Sequence, residues 1–248
     1  MNNNRTVIFS DLDGTILDEN YGLETTYPTI MHLNALKVPL VLCSSKTRLE
    51  IEYFRSKLLI DAPFVSENGA TVFIPRGYFK LGQWCKKQTS QYDIVEFGIA
   101  YSSIREKLEG IKKNCSCELR GYGDMNVEEI AKDTGLPIEL AELAKRREYS
   151  EPFRYNQAHE DELLSAIRKE ELKITHGGRY YHLMGDHSKG KAVLLLKELY
   201  SEKIDQLKTI GVGNSSNDAE MLEAVDEPFF IRKPQEMQSV WQKIVSYI

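Results

Sequence analysis

Val7-Ile8-Phe9 is an apolar run of strand length, and it ends in the polar stretch Asp11-Leu12-Asp13-Gly14-Thr15. Pro28 begins a segment with Ile30, Leu33 and Leu36 at helical spacing, closed by Val38-Pro39. The run VPLVLC then reads as a buried parallel strand, and Thr47 caps a predicted helix with Ile51, Phe54 and Leu58 on one face. PFVSENG and ATVFIP add short strands. Such alternation predicts an α/β fold with a doubly wound, mainly parallel sheet and right-handed crossovers.

From about Gly82 the rhythm changes. YDIVEFG reads as a strand, Ile104, Leu108 and Ile111 mark a helix, and NVEEIAKDTG is a short helix with Asn126 as cap and Glu129 three later. LPIELAELAKRREY continues with Leu140, Leu143 and Ala144 on one face. A strand in PFRYN, a helix through Leu163, Leu164 and Ile167, and strands at LKIT and RYYHLMG complete the set. The earlier rhythm then returns in GKAVLLLKELY, in LKTIGVGNSSND, in a helix through Met221, Leu222 and Val225, and in the strand PFFI. The expected organisation is a discontinuous core domain, residues 1–81 and 187–248, with a smaller α/β domain inserted at 82–186.

Charge and composition narrow the partners. A net charge of −5 and a pI near 5.7 leave no concentrated basic face for nucleic acid or an acidic membrane surface. No apolar stretch reaches membrane-span length and MNNNR is not followed by a secretory apolar segment, so a cytoplasmic location is expected. Cys115-Ser-Cys117 has the wrong spacing for a zinc knuckle, with no second Cys/His pair at a helpful distance; reduced thiols are expected at all four cysteines. Oligomeric state is unreadable from the pattern.

Three apolar strands end in polar clusters: Asp11 to Thr15, Ser44 to Thr47, and Asn214 to Asp218. In an open parallel sheet ligands bind beyond the carboxyl ends of the strands, so the clusters can meet, and Lys189 at the start of the resumed core can join them. In extended geometry Asp11 and Asp13 face the same way, and converging carboxylates call for a hard cation such as Mg²⁺. The set suits phosphoryl transfer. Asp11 would attack phosphorus, Asp13 would serve as acid and base, Ser44 and Lys189 would hold the phosphoryl oxygens, and Mg²⁺ would draw ligands from Asp11, Asp13, Asn214 and Asp218.

DLDGT after an apolar strand, Ser44 ending the second strand, the downstream Lys189-Gly190, and GNSSND together resemble the four signatures of the haloacid dehalogenase superfamily of phosphatases. The inserted domain looks like the α/β cap of its sugar-phosphatase branch. CSSKTR, SENGA, REYSE and THGGRYYH with SKGKA further resemble the mannosyl-3-phosphoglycerate phosphatase family over nearly the whole chain. That resemblance implies Asp11 as nucleophile, Asp13 as acid/base, Ser44 and Lys189 as phosphate ligands, a Mg²⁺ cofactor, and a phosphorylated glyceryl glycoside as substrate. One departure stands out: the fourth signature usually begins Gly-Asp, whereas here it reads Gly213-Asn214, and Asn214 brings a carbonyl oxygen without a charge.

The expected substrate-binding set is Ser45, Lys46, Glu67, Asn68, Gly177, Gly178 and Arg179. Glu67-Asn68-Gly69 follows a core strand and can line the cleft; the Arg179 fork suits the carboxylate of a glyceryl group. A glucosyl glycoside or another sugar phosphate, a phosphomannomutase-like phosphotransferase and a non-catalytic binding module remain as alternatives to the mannosyl phosphatase.

Overall fold

A computed structural model describes residues 5–85, 87–156, 159–177 and 179–248. The chain begins with β1 (Thr6–Ser10), α1 (Tyr27–Ala35), β2 (Leu40–Cys43), α2 (Arg48–Lys57), β3 (Phe64–Ser66) and β4 (Thr71–Pro75). β1 and β2 are buried on both faces, which is why they read as continuous apolar runs rather than as alternating ones. Thr47 starts α2 as expected: its hydroxyl accepts from Glu50 N at 3.2 Å, and Glu50 Oε2 accepts from Thr47 N at 2.9 Å.

Next come β5 (Lys87–Gln88), β6 (Tyr92–Glu96), α3 (Tyr101–Asn114), β7 (Leu119–Gly121), α4 (Val127–Thr134), α5 (Ile138–Lys145) and β8 (Ser150–Tyr155). α6 (Glu160–Lys169), β9 (Lys173–Gly177), β10 (Tyr180–Met184), α7 (Lys189–Ser201), β11 (Lys208–Gly213), α8 (Ala219–Glu223), β12 (Glu227–Phe230) and α9 (Met237–Val245) complete it.

The strands form two sheets. The eight-stranded sheet has the order β12-β11-β1-β2-β3-β4-β6-β5; β12 through β3 in that order run parallel, and β4, β6 and β5 add an antiparallel edge. β1 is central, with Ser10 opposite Val212 on β11 and Leu42 on β2. The residues just past these partners, Asp11, Ser44 and Asn214, therefore leave the sheet on the same edge.

The antiparallel second sheet has the order β7-β8-β10-β9. Ile104, Leu108 and Ile111 of α3 and Leu163 and Ile167 of α6 bury against Phe153 and Leu183 on one of its faces. α4 and α5 pack as a pair, with α5 against α2, so the apolar cluster around Leu140, Ala141 and Ala144 is continuous with the main core.

Two expectations change here. The switch of sheet comes after Glu96 and not at Gly82, because β6 pairs with β4 from Thr71↔Glu96 to Pro75↔Tyr92. YDIVE and TVFIP are hairpin partners joined by a long connection, and strand alternation alone does not say which sheet a strand enters. Cys115 and Cys117, expected as free thiols, stand in disulfide contact with Cα atoms 5.2 Å apart. The chain bends through Cys115 and Ser116, and the bend brings the two side chains together. Among the described residues no helix is long and apolar enough to cross a membrane.

Candidate active site

The exit of β1 is fixed by Asp11 N donating to Val212 O at 2.9 Å. Gly14 follows at φ +70°, where a Cβ would lie 2.1 Å from the Asn214 Nδ2 atom. Only glycine takes that backbone freely and lets the two loops touch. On the other side Asn214 N and Ser215 N both donate to Asp218 Oδ2, at 2.9 and 3.0 Å, which folds the Asn214–Asp218 turn back on itself.

Lys189 enters at the first turn of α7, whose N-terminus Ser188 caps. Its ammonium is fully buried and donates at 2.6 Å to Asp11 Oδ1 and at 2.6 Å to Asp218 Oδ1. Burial works against that charge, yet the two carboxylates raise the Lys189 pKa above its ordinary value. Two carboxylates share one ammonium, leaving negative charge in excess. Burial, helped by Asp218 and Asp13 and opposed by Lys189, accordingly pushes Asp11 up to about 7.

Asp13 is less enclosed, with 41 % of its side chain exposed, and pairs with Lys46 at 3.1 Å. Lys46 is buried beneath the Tyr21 ring, 5.1 Å from its centre, and also meets Glu50 at 3.4 Å; Asp13 and Glu50 hold it charged against its burial. Asp11, Asp13, Lys46 and Asn214 form the floor of a cavity of about 750 Å³ whose roof includes His182 on β10 and Arg179 just before that strand.

The family model for haloacid dehalogenase-like hydrolases matches residues 8–233, nearly the full length over which this constellation is assembled. The chain belongs to that family. It is 42 % identical over 234 residues to the glucosyl-3-phosphoglycerate/mannosyl-3-phosphoglycerate phosphatase of Methanococcoides burtonii, covering 92 % of this chain and 85 % of the relative. With the mannosyl-3-phosphoglycerate phosphatase of Pyrococcus horikoshii it shares 37 % identity, covering 94 % and 96 %. A solved structure of a subclass IIB sugar phosphatase of the superfamily superposes with a TM-score of 0.62 at 15 % identity, covering 98 % of both chains, a likeness of fold.

In this haloacid dehalogenase-like hydrolase the expected site residues fall into distinct groups. Asp11, Asp13, Ser45, Lys46, Gly177, Arg179 and Asn214 line the cavity. Gly178 lies outside the described residues. Ser44 is wholly buried, its hydroxyl accepting from Lys46 N at 3.2 Å, while Ser45 is the serine on the cavity wall. Asp218, expected as a metal ligand, accepts from Lys189 at Oδ1 and from Asn214 N at Oδ2.

Glu67 and Asn68 are absent from the cavity wall. Glu67 Oε1 accepts from Glu148 N at 2.8 Å, and Oε2 accepts from Tyr149 N at 3.1 Å and the Ser150 hydroxyl at 2.7 Å. Arg147 pairs with it at 3.3 Å and donates to Ser45 O at 2.8 Å. Glu67 thus joins the eight-stranded sheet to the start of β8, and Asn68 accepts from Asn217 Nδ2 at 3.0 Å. A glutamate in a turn motif looks the same in sequence whether its carboxylate faces a ligand or three donors of its own chain.

His182, left out of the expected site set because a histidine in a strand is more often a satisfied polar residue than a ligand, lines the cavity with its Nδ1 buried and unpartnered. Burial, reinforced by Arg147 and Lys189, keeps its imidazole neutral. Its signal was its place in RYYHLMG, where period two puts His182 on the face of Tyr180.

Proposed function

We propose that this hydrolase is a Mg²⁺-dependent, cytoplasmic phosphatase of phosphoglyceryl glycosides, acting on mannosyl-3-phosphoglycerate and on its glucosyl counterpart. The observation that carries this reading is the Asp11 carboxylate, held by Lys189 at the floor of a cavity large enough for a glycosyl phosphoglycerate; the names borne by the relatives point to the substrate.

Asp11 attacks phosphorus with its carboxylate oxygen, forming an acyl phosphate as the bond from phosphorus to the glycerate oxygen breaks. Asp13, at the more open position, protonates the departing oxygen and then takes a proton from the water that cleaves the acyl phosphate, returning Asp11 as a carboxylate. Lys189 and Lys46 place two positive charges beside the transferring group. The metal fits the residues present: the donors are all oxygens, and the negative charge that Lys189 leaves uncancelled calls for a cation. Asp11, Asp13 and Asn214 would hold Mg²⁺, which supplies charge neutralisation for the phosphate dianion. The residues from 99 to 186 act as a cap over this floor, with Arg179 receiving the glycerate carboxylate and the neutral His182 a hydroxyl.

The test is phosphate release from both glyceryl glycosides beside a panel of common sugar phosphates, with Mg²⁺ or chelator and with Asp11→Asn as the blank. A glyceryl glycoside should dominate the panel, and chelator and Asp11→Asn should each lower the rate by about 10³ or more. Equal rates across the panel would overturn the substrate, and an active Asp11→Asn protein would overturn the mechanism.

A further inference from the structure

Outside the cavity, one cluster of metal-binding side chains is brought together from two distant segments. Cys115 and Cys117 flank the turn between α3 and β7, both sulfurs almost wholly buried beside the apolar core under the second sheet. Glu162 reaches them from the first turn of α6, and its Oε1 accepts from Ser116 N at 3.1 Å, between the two cysteines. The two sulfurs and a carboxylate oxygen of Glu162 lie within 4.8 Å of one another. His159, which precedes α6, has its Nδ1 atom 3.7 Å from Glu162 Oε2, and its carbonyl is 3.5 Å from the Cys117 sulfur.

We propose that in the reduced protein Cys115, Cys117 and Glu162 bind a thiophilic cation of tetrahedral preference, with Zn²⁺ as the type and His159, beside Glu162, as the nearest further donor. A disulfide and a shared metal both bring two sulfurs to one place; the other donors distinguish them. A disulfide is neutral and makes no use of a carboxylate and an imidazole beside it. Two thiolates next to a carboxylate repel unless a cation lies between them. Four ligands at about 2.0–2.3 Å from a tetrahedral centre stand roughly 3.3–3.8 Å apart, a spacing that the His159–Glu162 pair already has. The unpromising Cys-x-Cys spacing is completed by Glu162, with His159 three residues before it at the same helix start. The cation would tie the end of α3 and the start of β7 to α6. It is a structural site in the cap, separate from the Asp11 floor.

The experiment is titration of the freshly reduced full-length protein with Co²⁺ in excess Mg²⁺, which keeps the oxygen-rich floor occupied by a hard cation. A single equivalent should give the near-ultraviolet charge-transfer band of cobalt thiolate and the visible bands of a tetrahedral ion, displaced by Zn²⁺, with a rise in Tm. Cys117→Ser should abolish the band. Glu162→Gln, which keeps both thiols and the fold, should weaken binding about tenfold or more, while phosphate release by both variants stays at the parent rate. A reduced, folded protein without the thiolate band overturns the proposal. So does Co²⁺ binding that Glu162→Gln and His159→Ala leave unchanged, because the dithiol would then be acting alone.

Discussion

Asp11 carries two opposing demands, and its proton records them. The unfolded chain loses that proton near the ordinary 3.8, whereas the folded protein retains it to about 7, because burial outweighs the pull of Lys189. Between those values the folded state binds more protons, so the contribution of Asp11 to stability falls as pH rises through the window. Thermal melts of the metal-free enzyme should lose stability relative to Asp11→Asn from about pH 4 to 7, a difference that separates Asp11 from His182 and His187, whose lowered pKa values act in the opposite sense. Mg²⁺ competes with the same proton, so its stabilising effect should grow over that window. The neighbouring Asn214 offers a second test. Asn214→Asp adds a charge beside Asp11 where the neutral amide now touches Gly14. It should lower the Mg²⁺ concentration for half-maximal activity by about tenfold, read from phosphate release against metal concentration.

Among the elements, α9 does most for the site from furthest away. Its Met237, Trp241 and Ile244 are buried, and the Trp241 indole donates to Thr15 O at 2.8 Å, bracing the loop that carries Asp11 and Asp13. Trp241→Phe keeps most of the packing and orphans a buried carbonyl. It should cost about 1–3 kcal/mol, seen as a lower Tm, with a loss in kcat larger than any change in KM. That helix escaped the sequence analysis although its spacing of four and three is regular, because it follows the last polar cluster and no chemistry drew attention to it. β1, β2, β11 and the α2 cap were legible, since a parallel strand buried on both faces writes a continuous apolar run and a capping box writes a fixed interval. Glu67 was not, because the sequence places it near the cleft but is silent on the direction of its carboxylate. Glu67→Gln should leave Arg147 in a dry setting with only the more distant Glu50 carboxylate, 4.0 Å away, among the described residues, costing about 3 kcal/mol, and should lower activity on all substrates by one common factor. A change in the ranking of substrates would instead mark Glu67 as a ligand contact.

For the whole molecule, the decisive feature is how the second sheet sits over the first. Glu67 and Arg147 fasten one side, and the Ser216 hydroxyl donates to His176 O at 3.1 Å on another. Hydrolysis in isotopically labelled water should put the label in the released phosphate, with no phosphorylated sugar formed when free mannose or glucose is added. Transfer to either sugar would make the enzyme a phosphotransferase.

The order of the strands also sets a schedule. β1, bearing the aspartate proposed as nucleophile, leaves the ribosome well before one of its two sheet neighbours, β11, which lies about two hundred residues later. Lys189 and Asp218 emerge late as well. A nascent chain therefore carries Asp11 without the partners that hold it until those segments are made, and the site is assembled only after β11 and the Asn214–Asp218 turn have emerged.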